Sequence, residues 1–93
     1  MARKFEWIIY LSQNIPGNQS FDLQRATSIR DAQSRFEAFC YSVMSDDCVA
    51  TLYAYSDEAW AEALDFRDVG CPFDYPDRLI ERGARGGVKV SRT

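Results

Sequence analysis

The chain predicts an α+β fold: a single domain over residues 1–93, ordered β-β-α-β-α-(α)-β, with a four-stranded sheet and two main helices packed mostly on one face. Three stretches predict it. Residues 5–12, FEWIIYLS, alternate with period two, the pattern of a strand with a buried face. Residues 29–44 carry apolar side chains at helical spacing. Residues 48–55, CVATLYAY, are rich in β-branched and aromatic residues and hold no charge, as a central strand requires.

The first strand places Phe5, Trp7, Ile9 and Leu11 on one face and Glu6, Ile8, Tyr10 and Ser12 on the other. Pro16-Gly17 follows, a turn pair in which proline presets one dihedral and glycine accepts positive φ. Residues 20–26 alternate through Phe21 and Leu23 and form a second strand, hairpinned to the first. Ser28 and Asp31 resemble a capping box with Asp in place of Glu. Behind them, Ile29, Ala32, Phe36, Phe39, Cys40 and Val43 make one apolar stripe that Met44 widens, while Arg30, Ser34, Arg35 and Glu37 lie outside it. SDD turns the chain into the third strand.

Ser56 is a suitable N-cap for a second helix, and Asp57 and Glu58 suit the positive end of its dipole. Ala59, Trp60, Ala63, Leu64 and Phe66 are its inward stripe, and the helix ends near Gly70, with Pro72 beyond. FDYPDRLIERG reads as a short further helix that starts at Pro76, turns Leu79 and Ile80 inward and stops at Gly83. ARGG is a loop, and VKVSRT is a short last strand. The links β2-α1-β3 and β3-α2-β4 are right-handed crossovers wherever the strands they join run parallel.

Composition narrows the chemistry. Of 93 residues, 46% are hydrophobic and 14% aromatic, enough apolar mass to offset ordering entropy. No apolar run approaches the ~20 residues of a membrane span, and the start of the chain lacks the long apolar core and small-residue site of a signal peptide. A cytoplasmic protein is expected, in a host cytoplasm if phage-encoded. Cys40, Cys48 and Cys71 are odd in number and form no CxxC pair, so reduced cysteines packed as small apolar groups are expected. The chain has no histidine. The commonest general base and the commonest metal ligand are therefore missing.

No motif for a cofactor or a metal stands out. GARGG does not open a helix after a strand as a phosphate-binding loop does. Three cysteines over this span without histidine lack zinc spacing. Asp46-Asp47 are explained by a turn, and Asp74 and Asp77 by a helix start. Expected, then, are no catalytic residues, no cofactor and no metal. A small enzyme working through carboxylates or through Cys71, the most exposed thiol of the three by position, is the remote alternative, since no base is at hand to activate it.

Charge is laid out unevenly. Residues 1–45 hold five basic and four acidic residues, residues 46–81 hold ten acids against two arginines, and residues 82–93 hold four basic residues and no acid, giving the net charge of −3. One reading of this layout is solubility together with acids placed at helix N-termini, with no further role. The sharper expectation is that Asp46, Asp47, Asp57, Glu58, Glu62, Asp65 and Asp68 present a negative patch to a partner protein with a basic surface. By class alone, without a motif, such a chain resembles the small inhibitors and adaptors carried by phages and mobile elements. The function expected is a non-enzymatic interaction module docking an acidic helix face on a nucleic-acid-binding surface of an enzyme, with a homodimer through a sheet edge as a further expectation. The alternative is a nucleic-acid-binding domain using Tyr53 and Tyr55 for stacking and Arg82, Arg85, Lys89 and Arg92 for phosphates, against which the net charge counts.

Overall fold

The computed structural model describes residues 4–13, 21–44, 47–67, 71–73, 75–82 and 88–92. The elements are β1 (Trp7–Gln13), β2 (Phe21–Ala26), α1 (Ile29–Val43), β3 (Cys48–Ala54), α2 (Asp57–Phe66), β4 (Arg78–Arg82) and β5 (Val88–Arg92). They build one five-stranded sheet in the order β2-β1-β3-β4-β5, antiparallel at every neighbouring pair. β2 and β3 flank β1 and so run parallel to each other, which makes β2-α1-β3 a crossover. The link through α2 joins the antiparallel neighbours β3 and β4 and is not one. The proposed Pro16-Gly17 turn, the helix stop at Gly70 and the ARGG loop lie outside the described residues.

Two expectations are corrected. The sheet has five strands rather than four, because the short helix expected after Pro76 is the strand β4. Five residues cannot repay helix nucleation, whereas Val49–Leu52 of β3 offer a ladder that pairs with Arg78–Glu81. Asp77 fastens the join: its N–H donates to the Leu52 carbonyl at 2.8 Å, and its Oδ2 accepts from the Ala54 N–H at 2.8 Å. Asp77 is thus a strand-joining residue, not a helix cap. β4 then pairs with β5 from Arg78↔Arg92 to Arg82↔Val88.

The helices also lie on opposite faces of the sheet, not on one. Alternation along the strands sends Ile9 and Leu11 of β1, Ala50 and Leu52 of β3 and Ile80 of β4 to one side, where Ala32, Phe36, Phe39 and Cys40 of α1 cover them. Ile8 and Tyr10 of β1 and Tyr53 of β3 point to the other side, against Ala59, Trp60 and Ala63 of α2, with Leu23, Tyr55 and Phe73 around them. The reason is in the middle strands. β1 and β3 are apolar on both faces, and Ile8, Ile9, Leu11 and Leu52 are fully buried. With both helices on one side, Ile8 would face water, at roughly 2 kcal/mol for one such side chain.

α1 begins as its sequence suggests. Ser28 is extended at the N-cap and its Oγ accepts from the Asp31 N–H at 3.0 Å. The Asp31 carboxylate reaches back to Thr27, whose N–H donates at 3.0 Å, and takes Arg35 Nε at 3.2 Å. These bonds, led by the Thr27 N–H, hold the Asp31 pKa below its usual value. The helix ends on Met44 in the left-handed region, at φ 54° and ψ 42°. Cys40 and Cys48 are buried in the α1-side core without a disulfide, and burial with Cys40 beside it pushes the Cys48 pKa up to about 12.

Candidate functional site

α2 carries the surface on which most of the expected site residues fall. β3 ends at Ala54, and Ser56 turns the chain into the helix with extended dihedrals, its Oγ accepting from the Ala59 N–H at 3.0 Å. Trp60 and Ala63 face the sheet, Ala63 fully buried. That fixes the rotation of the helix: Glu58, Glu62 and Asp65 are exposed and run along its outer side with exposed Ala61 among them. None of the three forms an ion pair with a described residue; the salt bridge near β2, Arg35–Asp31, is on the other face. Asp57 is exposed at the first turn and accepts from the Tyr55 hydroxyl at 3.0 Å.

The structure therefore brings together Asp57, Glu58, Glu62 and Asp65. Asp47 is exposed but precedes β3, at the opposite end of that strand from the start of α2. Asp46 and Asp68 lie outside the described residues. Two apolar residues read as inward from the sequence are not: Leu64 is 39% and Phe66 44% exposed. They flank Asp65 in the chain. The helix ends at Phe66, shorter than expected, so its last turn does not follow the apolar stripe onto the sheet. Beside it, Phe21, Asp22, Leu23, Trp60, Leu64 and Arg67 line a groove of about 210 Å³.

The residues of the nucleic-acid alternative are dispersed. Tyr53 is buried, edge-on to Tyr10 at 5.9 Å and tilted against Phe73 at 5.0 Å. Burial, then its hydrogen bond with Cys71, pushes its pKa up to about 12. Tyr10 is pushed up as well, first by burial. Tyr55 packs on Phe5 at 5.8 Å and holds Asp57. Tyr53 therefore offers no bare ring for a base, and Tyr55 already has Phe5 against it. Strand alternation separates the cations too: Arg82 and Arg92 are on the α1 side of the sheet, and exposed Lys89 is on the α2 side. Arg85 lies outside the described residues. Arg78, which the sequence did not single out, shares the α1 side, opposite Arg92, with its guanidinium 5.5 Å from the Trp7 ring.

Cys71 is exposed, and its thiol contacts the Phe73 carbonyl at 3.6 Å. Asp74 lies outside the described residues. Among the described residues no group of three or more cysteine or carboxylate side chains is placed to hold a metal ion, and no helix is long and apolar enough to cross a membrane.

A second constellation was not visible in the sequence. Arg25 of β2 projects to the α2 side, where its guanidinium carbon lies 4.3 Å from the centre of the Phe5 ring and 4.7 Å from that of Trp60. It borders two grooves. One, of about 520 Å³, is lined by Lys4, Phe5, Arg25, Tyr55, Ser56 and Asp57. The other, of about 310 Å³, is lined by Phe5, Leu23, Gln24, Arg25, Arg35 and Trp60. The sequence places Phe5 on a strand face and Trp60 in a helix stripe, and nothing in the spacing puts Arg25 against them. No protein-family model, curated protein or solved structure significantly matches the chain.

Proposed function

We propose that this protein is a non-enzymatic interaction module that docks the outer side of α2 on a basic surface of a partner protein, of the kind that binds nucleic acid. One observation carries the reading: Glu58, Glu62 and Asp65 lie exposed along one side of a ten-residue helix without a described counter-ion, with exposed Phe66 four residues after Glu62. Unpaired acids steer a basic partner by long-range attraction. The Phe66 ring at the same end supplies apolar area that a partner desolvates, the part of an interface from which binding energy is drawn. Ala61 between the acids keeps the ridge low enough for close approach.

The reading is tested with a photo-crosslinking residue at Ala61 in the full chain, expressed in its native host. The expected result is a specific crosslinked protein that is lost in the triple variant Glu58→Lys, Glu62→Lys, Asp65→Lys, weakened by salt and displaced by duplex DNA. A crosslink indifferent to charge reversal and to salt overturns it.

A further inference from the structure

We infer that the grooves around Arg25 form a binding site for a small organic anion: an oxyanion, phosphate or carboxylate, attached to a planar ring. The site is separate from the acidic side of α2 and does not depend on it. Three observations carry the inference together.

The first is how Arg25 is held. A guanidinium presents five N–H donors and stacks on aromatic faces. Arg25 uses its faces, on Phe5 and Trp60, and among the described residues no carboxylate or carbonyl takes its donors. Two other arginines differ. Arg35 donates to Asp31 at 3.2 Å and to Gln24 at 3.1 Å, and Arg78 donates to the Asp77 carbonyl at 2.8 Å. A half-buried guanidinium lying over two rings, with no described acceptor on its edges, is preorganised for a bidentate oxyanion.

The second is local charge. The larger groove has Lys4 and Arg25 against Asp57, a positive balance in a protein whose net charge is −3. Arg35, at the smaller groove, is already matched by Asp31. The third is shape. The walls include Phe5, Tyr55 and Trp60 around two open grooves of about 520 and 310 Å³, room for one ring-sized ligand at the surface. Glu58 and the acids beyond it on α2 repel an extended polyanion, which selects a short ligand with one anionic group over a nucleic-acid strand.

The test is an NMR titration of the nitrogen-labelled full chain with adenosine monophosphate, indole-3-acetate and inorganic phosphate, each followed at the Trp60 indole N–H and the Arg25 Nε–H. Trp7 is the internal control, because it lies on the opposite face of the sheet against Arg78. The expected result is that the nucleotide or the aromatic carboxylate shifts Trp60 and Arg25 but not Trp7, saturating near or below about 1 mM. Which of the two binds identifies the oxyanion. Arg25→Met, which keeps an apolar stem between the rings, is expected to weaken binding by about tenfold or more. Should that variant fail to fold, the Arg25 Nε–H shift in the wild-type protein decides. The inference is overturned if neither organic anion moves the two signals, if inorganic phosphate matches them at equal concentration, or if folded Arg25→Met binds unchanged.

Discussion

Reversing one charge on α2 should stabilise the protein and impair its docking at the same time. Glu62 has Glu58 four residues before it and Asp65 three residues after it, all exposed on α2. Each like-charge pair at these spacings costs about 0.2–0.5 kcal/mol, and an opposite pair returns a similar amount. Glu62→Lys removes two repulsions and creates two attractions, and Glu58 then stands N-terminal to a lysine, the favourable orientation. Helix propensity is nearly unchanged, since Glu and Lys are close on that scale. The swing sums to about 1–2 kcal/mol at low ionic strength. In urea, at a slope of about 1–1.5 kcal/mol per molar for a chain this size, the midpoint should rise by more than about half a molar. In 1 M salt the screening length falls to about 3 Å and most of the gain should vanish. Glu62→Gln, which only relieves repulsion, should give about half the effect. A loss of stability in Glu62→Lys, or a gain that survives high salt undiminished, would refute the claim that this helix holds its acids at an electrostatic cost.

Two further outcomes follow from the ends of α1. Met44 occupies the left-handed region at φ 54° and is 91% exposed, so its side chain contributes little packing. Met44→Gly should stabilise by about 0.5–1 kcal/mol in chemical denaturation, the relief of the Cβ clash less the larger unfolded-state freedom of glycine; an equal gain in Met44→Ala would assign the effect elsewhere. Asp31 has a folded pKa below its usual 3.8, so its charge contributes stability that is present above that value and lost as pH falls through the folded pKa. Asp31→Asn should cost about 1 kcal/mol at pH 7, the difference between a charged and a neutral acceptor, and the two proteins should converge on acidification below 3.8; a gap independent of pH would remove the carboxylate from the account.

The sequence was legible where one periodicity ran long enough to dominate. β1, α1, β3 and the start of α2 announce themselves through alternation, a helical stripe or a capping serine, and the structure keeps all of them. β4 was misread because Arg78–Arg82 is short and its two apolar residues are adjacent, a pattern that fits a helical turn and a strand equally. The partner strand decided between them. The glycines between β4 and β5 were the available signal, since two short runs joined by a glycine-rich stretch also describe a hairpin. The opposite placement of the helices was legible in principle from Ile8 and Tyr10, apolar on the face that a single helix layer would leave wet. On the candidate site, helical spacing alone placed Glu58, Glu62 and Asp65 on one side. Leu64 and Phe66 were assigned inward by hydrophobicity, which carries no information on where a helix stops touching its sheet. Arg25 could not be found at all, because its partners are twenty residues upstream and thirty-five downstream.

The two-sided sheet explains how so small a chain sets unlike surfaces side by side. α1 closes one face over a continuous apolar core that includes fully buried Phe36 and Ala32, while α2 buries only Ala63 completely. A helix held by few inward contacts leaves more of its circumference to solvent, and here that circumference carries acids toward one side and, through Trp60, an aromatic wall toward Arg25. Weak attachment would leave such a helix prone to local opening. The ring–guanidinium–ring stack opposes this by tying Trp60 to β2 and to Phe5. Arg25 thereby positions the element whose outer side bears Glu58, Glu62 and Asp65, so the lightly packed helix stays aligned on the sheet while its acids stay free to meet another molecule.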